Sequence, residues 1–544
     1  MLMTLGWDGF MPFGIRDIAT DGRSRTVRVR RSPFDPFDKL RCRLPMPLTG
    51  QALDRLGNVR HGCVLDNRAD TLDFAGQWEW NSPRSAPDGA RSVVRDRAAT
   101  WSAPGRASTV GGTRSILSSR RERNMQQMEE NDEVTGTITL DERISALRND
   151  TPGCAHVAHF NHAGASLSPQ PVLDAVFDHL TLEATIGGYE AAAAASDRLE
   201  AVYASIARML NAAPDEIALV ENATRGWDMA VYALPFERGD HVLTVQSEYA
   251  SSLVALLQIA KRRGVEVAVV PNDAQGQISL DALRKALRQP VKAVFIAHMP
   301  TNSGLVQPAE EIGSIIRELQ PAAWYVLDAC QTAGQLPLDV QRLHCDVLSA
   351  TSRKYLRGPR GAGFVYVRAS RIETMEPPML DLHAADLISP TDYVIRPDAR
   401  RFENWESYVA GRLGLAAAVD YALELGLGAI RDRVQRQAHL LRARLKAIEG
   451  VTVHDAGTVQ GGIVTFSRSG IEADAIKQAL TKEKINVSLS NIYRTYLDPG
   501  QDAIGTFVRA SVHYLTTDEE IDRLVSVIDT LGDDVTAVAR SRAG

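Results

Sequence analysis

The chain has 544 residues and a formal net charge of −6, and 44% of its residues are hydrophobic. That length is ample for two domains with a large core, and the charge and apolar content are ordinary for a soluble globular protein. No apolar run approaches the roughly 18 residues that a membrane span needs, so composition excludes a membrane protein and predicts no membrane partner.

Five cysteines are scattered along the chain without paired or metal-ligand spacing: Cys42, Cys63, Cys154, Cys330 and Cys345. This usage is typical of a reducing compartment, and it predicts a cytoplasmic protein with no metal site. The first residues also lack the basic, apolar and small-residue order of a secretory signal.

Residues 1–124 differ in composition from the rest of the chain. They contain 20 arginines against a single lysine, Lys39, and are rich in glycine, proline and serine. No sustained period of 2 or 3.6 runs through them, so we expect a disordered extension, or upstream sequence ahead of a true start at Met125 or Met128. A basic tail can bind nucleic acid, but the stretch has no recognisable motif or interleaved aromatic residues, and we expect no nucleic-acid partner.

The pattern changes at Val157, where the sequence begins to look like a folded domain. The stretch NHAG, residues 161–164, precedes a predicted helix with one apolar stripe, made of Val172, Leu173, Val176, Phe177 and Leu180. A long alanine-rich helix follows. The NHAG stretch is either a simple glycine turn or part of a site, and the residues alone leave both open.

Short apolar strands then alternate with helices as far as the strand WYVL at residues 324–327. This alternation predicts a mostly parallel sheet covered by helices on both faces. Ligands of such sheets bind beyond the carboxyl ends of the strands. Four loops are therefore expected at one rim, namely ENATRGWD (221–228), SEYAS (247–251), HMPTNSG (298–304) and DACQ (328–331).

The rest of the chain is organised around Lys354, which lies between two apolar runs that suit buried strands. A lysine at the edge of a buried sheet loses hydration, which lowers its pKa and makes it a usable nucleophile. A solvated loop lysine is the alternative. An earlier strand ends in Asp328 and is followed by Gln331, and this favours the interpretation of Lys354 as a nucleophile. One strand that ends in an acid and a second that is followed by a lysine are the arrangement expected of a pyridoxal phosphate site.

These stretches resemble the fold-type I pyridoxal phosphate enzymes of aminotransferase class V, over residues 160–524. That family includes cysteine desulfurases, isopenicillin N epimerase-like proteins and hercynylcysteine sulfoxide lyases. The segments GGYEAA and RKYLRGPRGAGF are most similar to the last two. The resemblance implies a large cofactor-binding domain at 155–395, a small α+β domain at 396–544 and a homodimer acting on an amino acid.

The resemblance also implies roles for particular residues. Lys354 would form a Schiff base with the cofactor and act as the catalytic base, and Asp328 would pair with the ring nitrogen. Other cofactor contacts carried over are Ala223, Thr224, Tyr249, Asn302, Gln331, Thr351 and Arg353, with Asn161 and Arg509 assigned to the substrate. An ordinary helix cap at 223–224, core packing of Tyr249 and a surface salt bridge at Arg509 are the alternatives.

Several positions depart from the family pattern. Tyr249 stands where desulfurases have a stacking histidine, and Arg353 stands where relatives have a histidine before the lysine. The residue that reaches the partner's cofactor phosphate corresponds to Glu406 or Ser407. No cysteine follows Cys345, so the persulfide-forming nucleophile of desulfurases is missing.

Three reactions at the substrate α-carbon stay open: transamination, C–S β-elimination and epimerisation. The main alternative is a non-catalytic binding or regulatory protein with the same fold, against which Lys354 and Asp328 argue. Nucleic-acid binding by the arginine-rich tail is the third interpretation.

Overall fold

The structure is a computed structural model that describes residues 13–21, 24–31, 40–43, 139–490 and 505–543. The chain divides into two compact units, 1–115 and 116–544. In the first unit, strands β1 (Phe13–Asp21), β2 (Ser24–Arg31) and β3 (Leu40–Arg43) pair antiparallel in that order. The other residues of 1–124 lie outside the described ones, and the interpretation of that stretch as an extension stays a prediction.

The second unit contains the remaining strands. They are β4 (Ala158–His159), β5 (Ile217–Val220), β6 (His241–Val245), β7 (Glu266–Val270), β8 (Ala293–Ala297), β9 (Trp324–Asp328), β10 (Val347–Thr351), β11 (Gly363–Val367), β12 (Ala385–Ser389), β13 (Asp392–Ile395), β14 (Val451–Val453), β15 (Ile463–Arg468), β16 (Ile485–Asn486), β17 (Ser488–Ser490) and β18 (Phe507–Ser511).

Its helices lie between them. They are α1 (Leu140–Asn149), α2 (Gln170–Ile186), α3 (Gly188–Ala194), α4 (Ser196–Leu210), α5 (Ala223–Tyr232), α6 (Ala250–Arg263), α7 (Leu280–Ala286), α8 (Ala309–Leu319), α9 (Val340–Leu343), α10 (Ala369–Ile372), α11 (Val409–Leu425), α12 (Leu427–Lys446), α13 (Ala473–Lys482) and α14 (Asp518–Ala543).

Seven strands form the central sheet, in the order β5-β11-β10-β9-β8-β6-β7. All neighbouring pairs are parallel except those of β11, which runs antiparallel to both β10 and β5. Strands β5, β8, β9, β10 and β11 are buried along their whole length, as their continuous apolar sequences require. The predicted α/β fold with a mostly parallel sheet is confirmed.

Helices cover both faces of this sheet, and side chains alternate between two cores. Val326 of β9 packs in the core that holds helices α5 and α6, including Trp227 and Leu256. The next residue, Leu327, belongs to the opposite core, which includes Ile206 of α4 and Ile316 of α8. This period of 2 sends the side chain of the last β9 residue, Asp328, in the same direction as that of Val326.

The C-terminal part is an antiparallel sheet, β14-β15-β18-β17, with helices α12, α13 and α14. Residues that precede the large sheet in the chain contact this C-terminal part: β4 pairs in parallel with β16, and Asn161 forms a bridge to Ser511. Residues 158–161 therefore lie against the C-terminal sheet. The proposed division at 395/396 stays a prediction.

Two helix features bear on surfaces and membranes. In α2, Val172 and Val176 are buried, whereas Phe177 is 60% exposed and Leu180 is 38% exposed.

Within the described ranges no single helix is long and apolar enough to cross a membrane, and only α11 and α12 taken together, bent by 82°, reach that length and composition.

Candidate active site

Lys354 lies three residues beyond the end of β10, at the carboxyl edge of the sheet. Its side chain is only 8% exposed. Burial lowers the pKa of this amine, and the neighbouring Cys330 and Asp328 partly oppose that effect by favouring the charged form. The alternative of a solvated loop lysine is therefore wrong.

Asp328 ends the adjacent strand β9, opposite Ser349 of β10. Its Oδ1 atom accepts a hydrogen bond of 2.8 Å from the Cys330 backbone N–H, and its carbonyl accepts one of 3.0 Å from the His298 N–H. These bonds fix the carboxylate at the strand end. Asp328 is buried and acts electrostatically on Lys354, so the structure brings the predicted acid and base together.

The segment 161–166 covers the loop that carries the lysine. The N–H of Ser166 donates to the Arg353 carbonyl at 2.8 Å, and the Arg353 guanidinium donates to the Gly164 carbonyl. Gln331 adds a third link, because its Nε2 donates to the Ala163 carbonyl at 3.2 Å. Arg353 and Gln331 thus face this covering segment.

Asn161 is placed at the same site by the geometry of its turn. The N–H groups of Gly164 and Ala165 both donate to its carbonyl at 3.0 Å. A Cβ atom on Gly164 would lie 2.6 Å from Asn161 Oδ1, so a side chain there would displace the Asn161 amide. Asn161 Oδ1 is buried without a hydrogen-bond partner among the described residues, which leaves an acceptor for a ligand.

Arg509, on β18, reaches the rim from the C-terminal sheet and is buried. Its Nη1 donates to the Thr301 carbonyl at 3.0 Å and to Thr301 Oγ1 at 2.7 Å. Gln331 Nε2 also donates to Thr301 Oγ1, at 3.3 Å. The alternative of a surface salt bridge is wrong, since Arg509 lies inside the site. Asn302, the next residue, is buried and accepts the Ser490 hydroxyl hydrogen bond.

The first turn of α5 forms the candidate phosphate cradle. Ala223 is buried, and Thr224 is exposed. Asn222 caps the helix, because its side-chain oxygen accepts the Arg225 N–H at 3.0 Å. The helix start is therefore capped by Asn222, and this cap accepts no hydrogen bond from the N–H groups of Ala223 and Thr224. Such groups and the positive end of the helix dipole suit an anion.

Gly363 lets this helix start approach the sheet closely. It pairs with Thr351 across β10 and β11, and an added Cβ would lie 2.7 Å from the Ala350 carbonyl and 3.4 Å from the Ala223 nitrogen. A side chain at this position would clash with the backbone of β10, beside the start of α5. Thr351, buried beside Gly363, is thereby held next to the cradle.

Tyr249 is half-buried just before α6, and its hydroxyl acts electrostatically on Arg353. Its N–H donates to Oε1 of Glu248 at 2.8 Å. Sequence reasoning missed Glu248, although a carboxylate between an apolar strand and an apolar helix was a visible signal. It also missed the part that Thr301 plays in holding Arg509.

The segment 403–408 lies beside the cradle. Glu403 is buried and accepts hydrogen bonds from the Tyr203 hydroxyl at 2.9 Å and the Leu219 N–H at 2.8 Å. Arg225 of α5 donates to Asn404 at 3.3 Å. A narrow cleft separates the two segments, lined in part by Val220, Glu221, Asn404, Glu406, Ser407 and Tyr408.

This set of residues fits the cofactor that the resemblance implies. A buried amine, a buried carboxylate on the next strand and a helix start suited to an anion lie along one sheet edge, with Asn161 Oδ1 as an open acceptor. The described residues contain no group of three or more His, Cys, Asp or Glu side chains placed to hold a metal ion.

Comparison with known proteins gives a consistent result. The family model for aminotransferase class-V matches residues 158–524, which agrees with the extent expected from the sequence. A probable cysteine desulfurase of Pyrococcus abyssi is 25% identical over 395 residues, covering 71% of this chain and 96% of that protein. One from Synechocystis sp. is 28% identical over 379 residues, covering 67% and 89%.

Solved structures agree in fold. The apo structure of a cysteine desulfurase from Thermococcus onnurineus NA1 superposes with a TM-score of 0.67 at 25% identity, and it covers 73% of this chain and 99% of that chain. The residues that the family model matches contain the whole central sheet and the rim described above.

Proposed function

Because this chain belongs to the aminotransferase class-V family of pyridoxal phosphate enzymes, we propose that it cleaves a C–S bond of an amino acid by β-elimination at the α- and β-carbons. The observation that carries the proposal is the buried Lys354 beside Asp328, in a chain with no cysteine after Cys345. Relatives named cysteine desulfurases support a sulfur-containing amino acid as the substrate class.

Specific residues of this chain would hold the cofactor. Lys354 binds it covalently, Asp328 pairs with its ring nitrogen, and the first turn of α5 receives its phosphate. The remaining contacts are proposed for Tyr249, Asn302, Gln331, Thr351 and Arg353. When bound, the cofactor ring accepts the electron pair released at the substrate α-carbon.

Substrate orientation is assigned to Arg509 and Asn161. A guanidinium fork matches a carboxylate, and Thr301 holds Arg509 through two contacts, so the fork cannot swing away from the rim. Asn161 Oδ1 offers an acceptor to a substrate N–H group from the opposite, covering segment.

Lys354 would move the proton. Its lowered pKa increases the share of the amine that is uncharged and able to take the α-carbon proton. The Cβ–S bond then breaks, and its electron pair leaves with the sulfur as a thiolate. Hydrolysis of the remaining three-carbon fragment by water yields a 2-oxo acid and ammonium.

The described cysteines argue against sulfur transfer through the protein. Burial raises the pKa of Cys330, and burial raises the pKa of Cys345 to about 12. Both side chains therefore stay as thiols near neutral pH, whereas a persulfide-forming nucleophile must be a thiolate.

Product analysis tests the reaction. Sulfur amino acids that shift the absorbance of the bound cofactor are incubated with the protein, and we expect a free thiol or sulfide with equimolar 2-oxo acid. A protein-bound persulfide on Cys330 or Cys345 would restore the desulfurase interpretation. Amino-group transfer to an added 2-oxo acid, or racemised substrate, would replace elimination with transamination or epimerisation.

A homodimer in a reducing, cytoplasmic compartment belongs to the same proposal. Large apolar side chains are exposed in this unit, including Phe177, Tyr189 at 74% and Trp405 at 61%. The Trp405 segment adjoins the cradle, so a second copy on this face would bring Glu406 or Ser407 near a cofactor phosphate. Sedimentation of Trp405→Asp beside wild type tests this, since we expect the variant to be monomeric and to lose cofactor.

A further inference from the structure

Glu248 is a buried carboxyl next to the site that the proposed reaction does not use. It follows β6 and is 3% exposed. Oε2 accepts the Thr244 hydroxyl hydrogen bond at 3.0 Å, and Oε1 accepts the Tyr249 N–H at 2.8 Å. The backbone N–H of Ala297 is a third donor to the carboxyl. Among the described residues no basic side chain forms an ion pair with it.

Its position ties it to Asp328. Ala297 ends β8 and lies directly opposite Asp328 in the β8–β9 register. The residue that donates to Glu248 is thus the strand partner of Asp328, and the two carboxyls flank one strand end. Two buried carboxyls that flank one strand end are costly to ionise together, because burial disfavours each charge and the like charges repel.

We propose that Glu248 is a positioning residue that carries the proton of this carboxyl pair and leaves Asp328 ionised for the ring nitrogen of the cofactor. The inference rests on the proposed cofactor site and deepens it. Glu248 does not touch the reacting atoms; it acts through Asp328, whose charge acts on it.

The electrostatics of the surrounding groups support this assignment. Burial first, and then the charge of Asp328, raise the pKa of Glu248 to about 7, although the hydrogen bonds from Tyr249, Thr244 and Ala297 oppose this shift. His298 follows Ala297, but burial lowers its pKa to about 4, so it contributes no positive charge near neutral pH. The charge of Asp328 also acts on Lys354.

This arrangement makes the site respond to pH. Below about pH 7 Glu248 is mostly neutral. Above pH 7 Glu248 ionises and adds a second negative charge, which favours a protonated ring nitrogen. The ring nitrogen should therefore stay protonated to a higher pH than Asp328 alone would allow.

The test compares Glu248→Gln with Glu216→Gln in the full-length holoenzyme. Glutamine keeps the shape of Glu248 and cannot ionise. Glu216 is a matched control, since it is also a buried glutamate that accepts hydrogen bonds from backbone N–H groups, those of Ala213 and Ala369. It lies just before β5, at the end of that strand that is away from the candidate active site. The cofactor is labelled with ¹⁵N at its ring nitrogen, and its chemical shift is followed from pH 6 to pH 9.

We expect wild type and Glu216→Gln to keep the ring nitrogen protonated to about one pH unit higher than Glu248→Gln, a tenfold change in the proton equilibrium. Identical titrations of wild type and Glu248→Gln would overturn the proposal. Melting temperatures of the three proteins confirm that each is folded before the comparison is made.

Infrared titration of the same full-length proteins reads Glu248 itself. Wild type should lose one protonated-carboxyl band between pH 6 and pH 8, Glu248→Gln should lack that band, and Thr244→Val should lose it at higher pH because a hydrogen bond to the carboxylate is gone. A wild type without this band overturns the proposal. A wild type that takes up no cofactor would overturn the proposed function instead. The infrared titration would then still show whether Glu248 carries a proton.

Discussion

Burial sets the protonation state of individual groups at this site. Loss of hydration disfavours whichever form is charged, so it lowers the pKa of Lys354 and raises the pKa of Cys330 and Cys345. One physical cause therefore produces a usable amine base and two inert thiols. This is why the chain supports proton transfer at a substrate α-carbon better than sulfur transfer through a cysteine.

Arg509 provides the prediction at the scale of one residue. Arg509→Ala should raise KM for the amino acid about tenfold or more with a smaller change in kcat, since a charged hydrogen-bonded pair contributes about 1.5–3 kcal/mol. Arg468→Ala is the control, because that residue lies on the adjacent strand and donates to the Asp529 carbonyl at the surface. Equal KM values for the two variants would remove Arg509 from substrate binding.

At the scale of elements, a buried charge cluster fixes the start of β10 and so the position of its far end, where Lys354 lies. Asp346 is 1% exposed and lies 2.6 Å from Arg317 and 3.2 Å from Arg371, with Arg368 at 3.7 Å. It also accepts the Tyr325 N–H at 2.9 Å, which joins β9 to this cluster.

Asp346→Ala should lower the free energy of unfolding by about 3–5 kcal/mol, because it leaves partly buried guanidinium groups without their anion. Glu318→Ala removes an exposed pair with Arg284, at 2.8 Å, and should cost less than about 1 kcal/mol. Urea unfolding of both variants measures the difference. A loss at Asp346 as small as that at Glu318 would contradict the role given to the cluster.

A second element-scale prediction concerns the histidines at the junction of segment 159–162 with β18. The rings of His162 and His513 lie 4.7 Å apart, and burial lowers the pKa of His513 to about 3. Burial also lowers the pKa of His162 well below its usual value. The folded state resists protonation, whereas the unfolded state binds protons once the pH falls below about 6.5.

The free energy of unfolding should therefore fall as the pH drops from 6.5 toward 4, by about 1.4 kcal/mol per pH unit for each such histidine. His513→Gln should flatten this slope, and the exposed His439→Gln should leave it unchanged. Urea unfolding at several pH values measures the slope. A slope that His513→Gln does not alter would show that this ring titrates freely in the folded protein.

Much of the sheet could be predicted because its strands are short apolar runs with period-3.6 helices between them. The strand predicted at 324–327, for example, is β9, which extends from Trp324 to Asp328. The pairing of β4 with β16 joins residues more than 300 apart, and no local pattern encodes it. The burial of Glu248 could not be predicted either, since it depends in part on Ala297, which lies about 50 residues further along the chain. Exposure of Phe177 in an apolar stripe likewise depends on what packs against α2.

At the scale of the whole molecule, residues 1–124 lie outside the family match, which covers residues 158–524. If they are an extension outside the folded domains, a protein beginning at Met125 should keep its solubility, its cofactor content and its melting temperature. Calorimetry and absorbance of the shortened and full-length proteins test this side by side. A drop in melting temperature or cofactor content would make the stretch part of the fold.

The most direct test of the account is chemical labelling of the lysine. The purified protein, loaded with pyridoxal phosphate, is reduced with borohydride, digested and mapped by mass spectrometry. Because Lys354 is the buried amine beside Asp328, we predict one pyridoxyl adduct, on the peptide that contains Lys354, and none in Lys354→Ala, which should also lose all turnover. An adduct on another lysine, or no cofactor uptake by the wild type, would contradict the account.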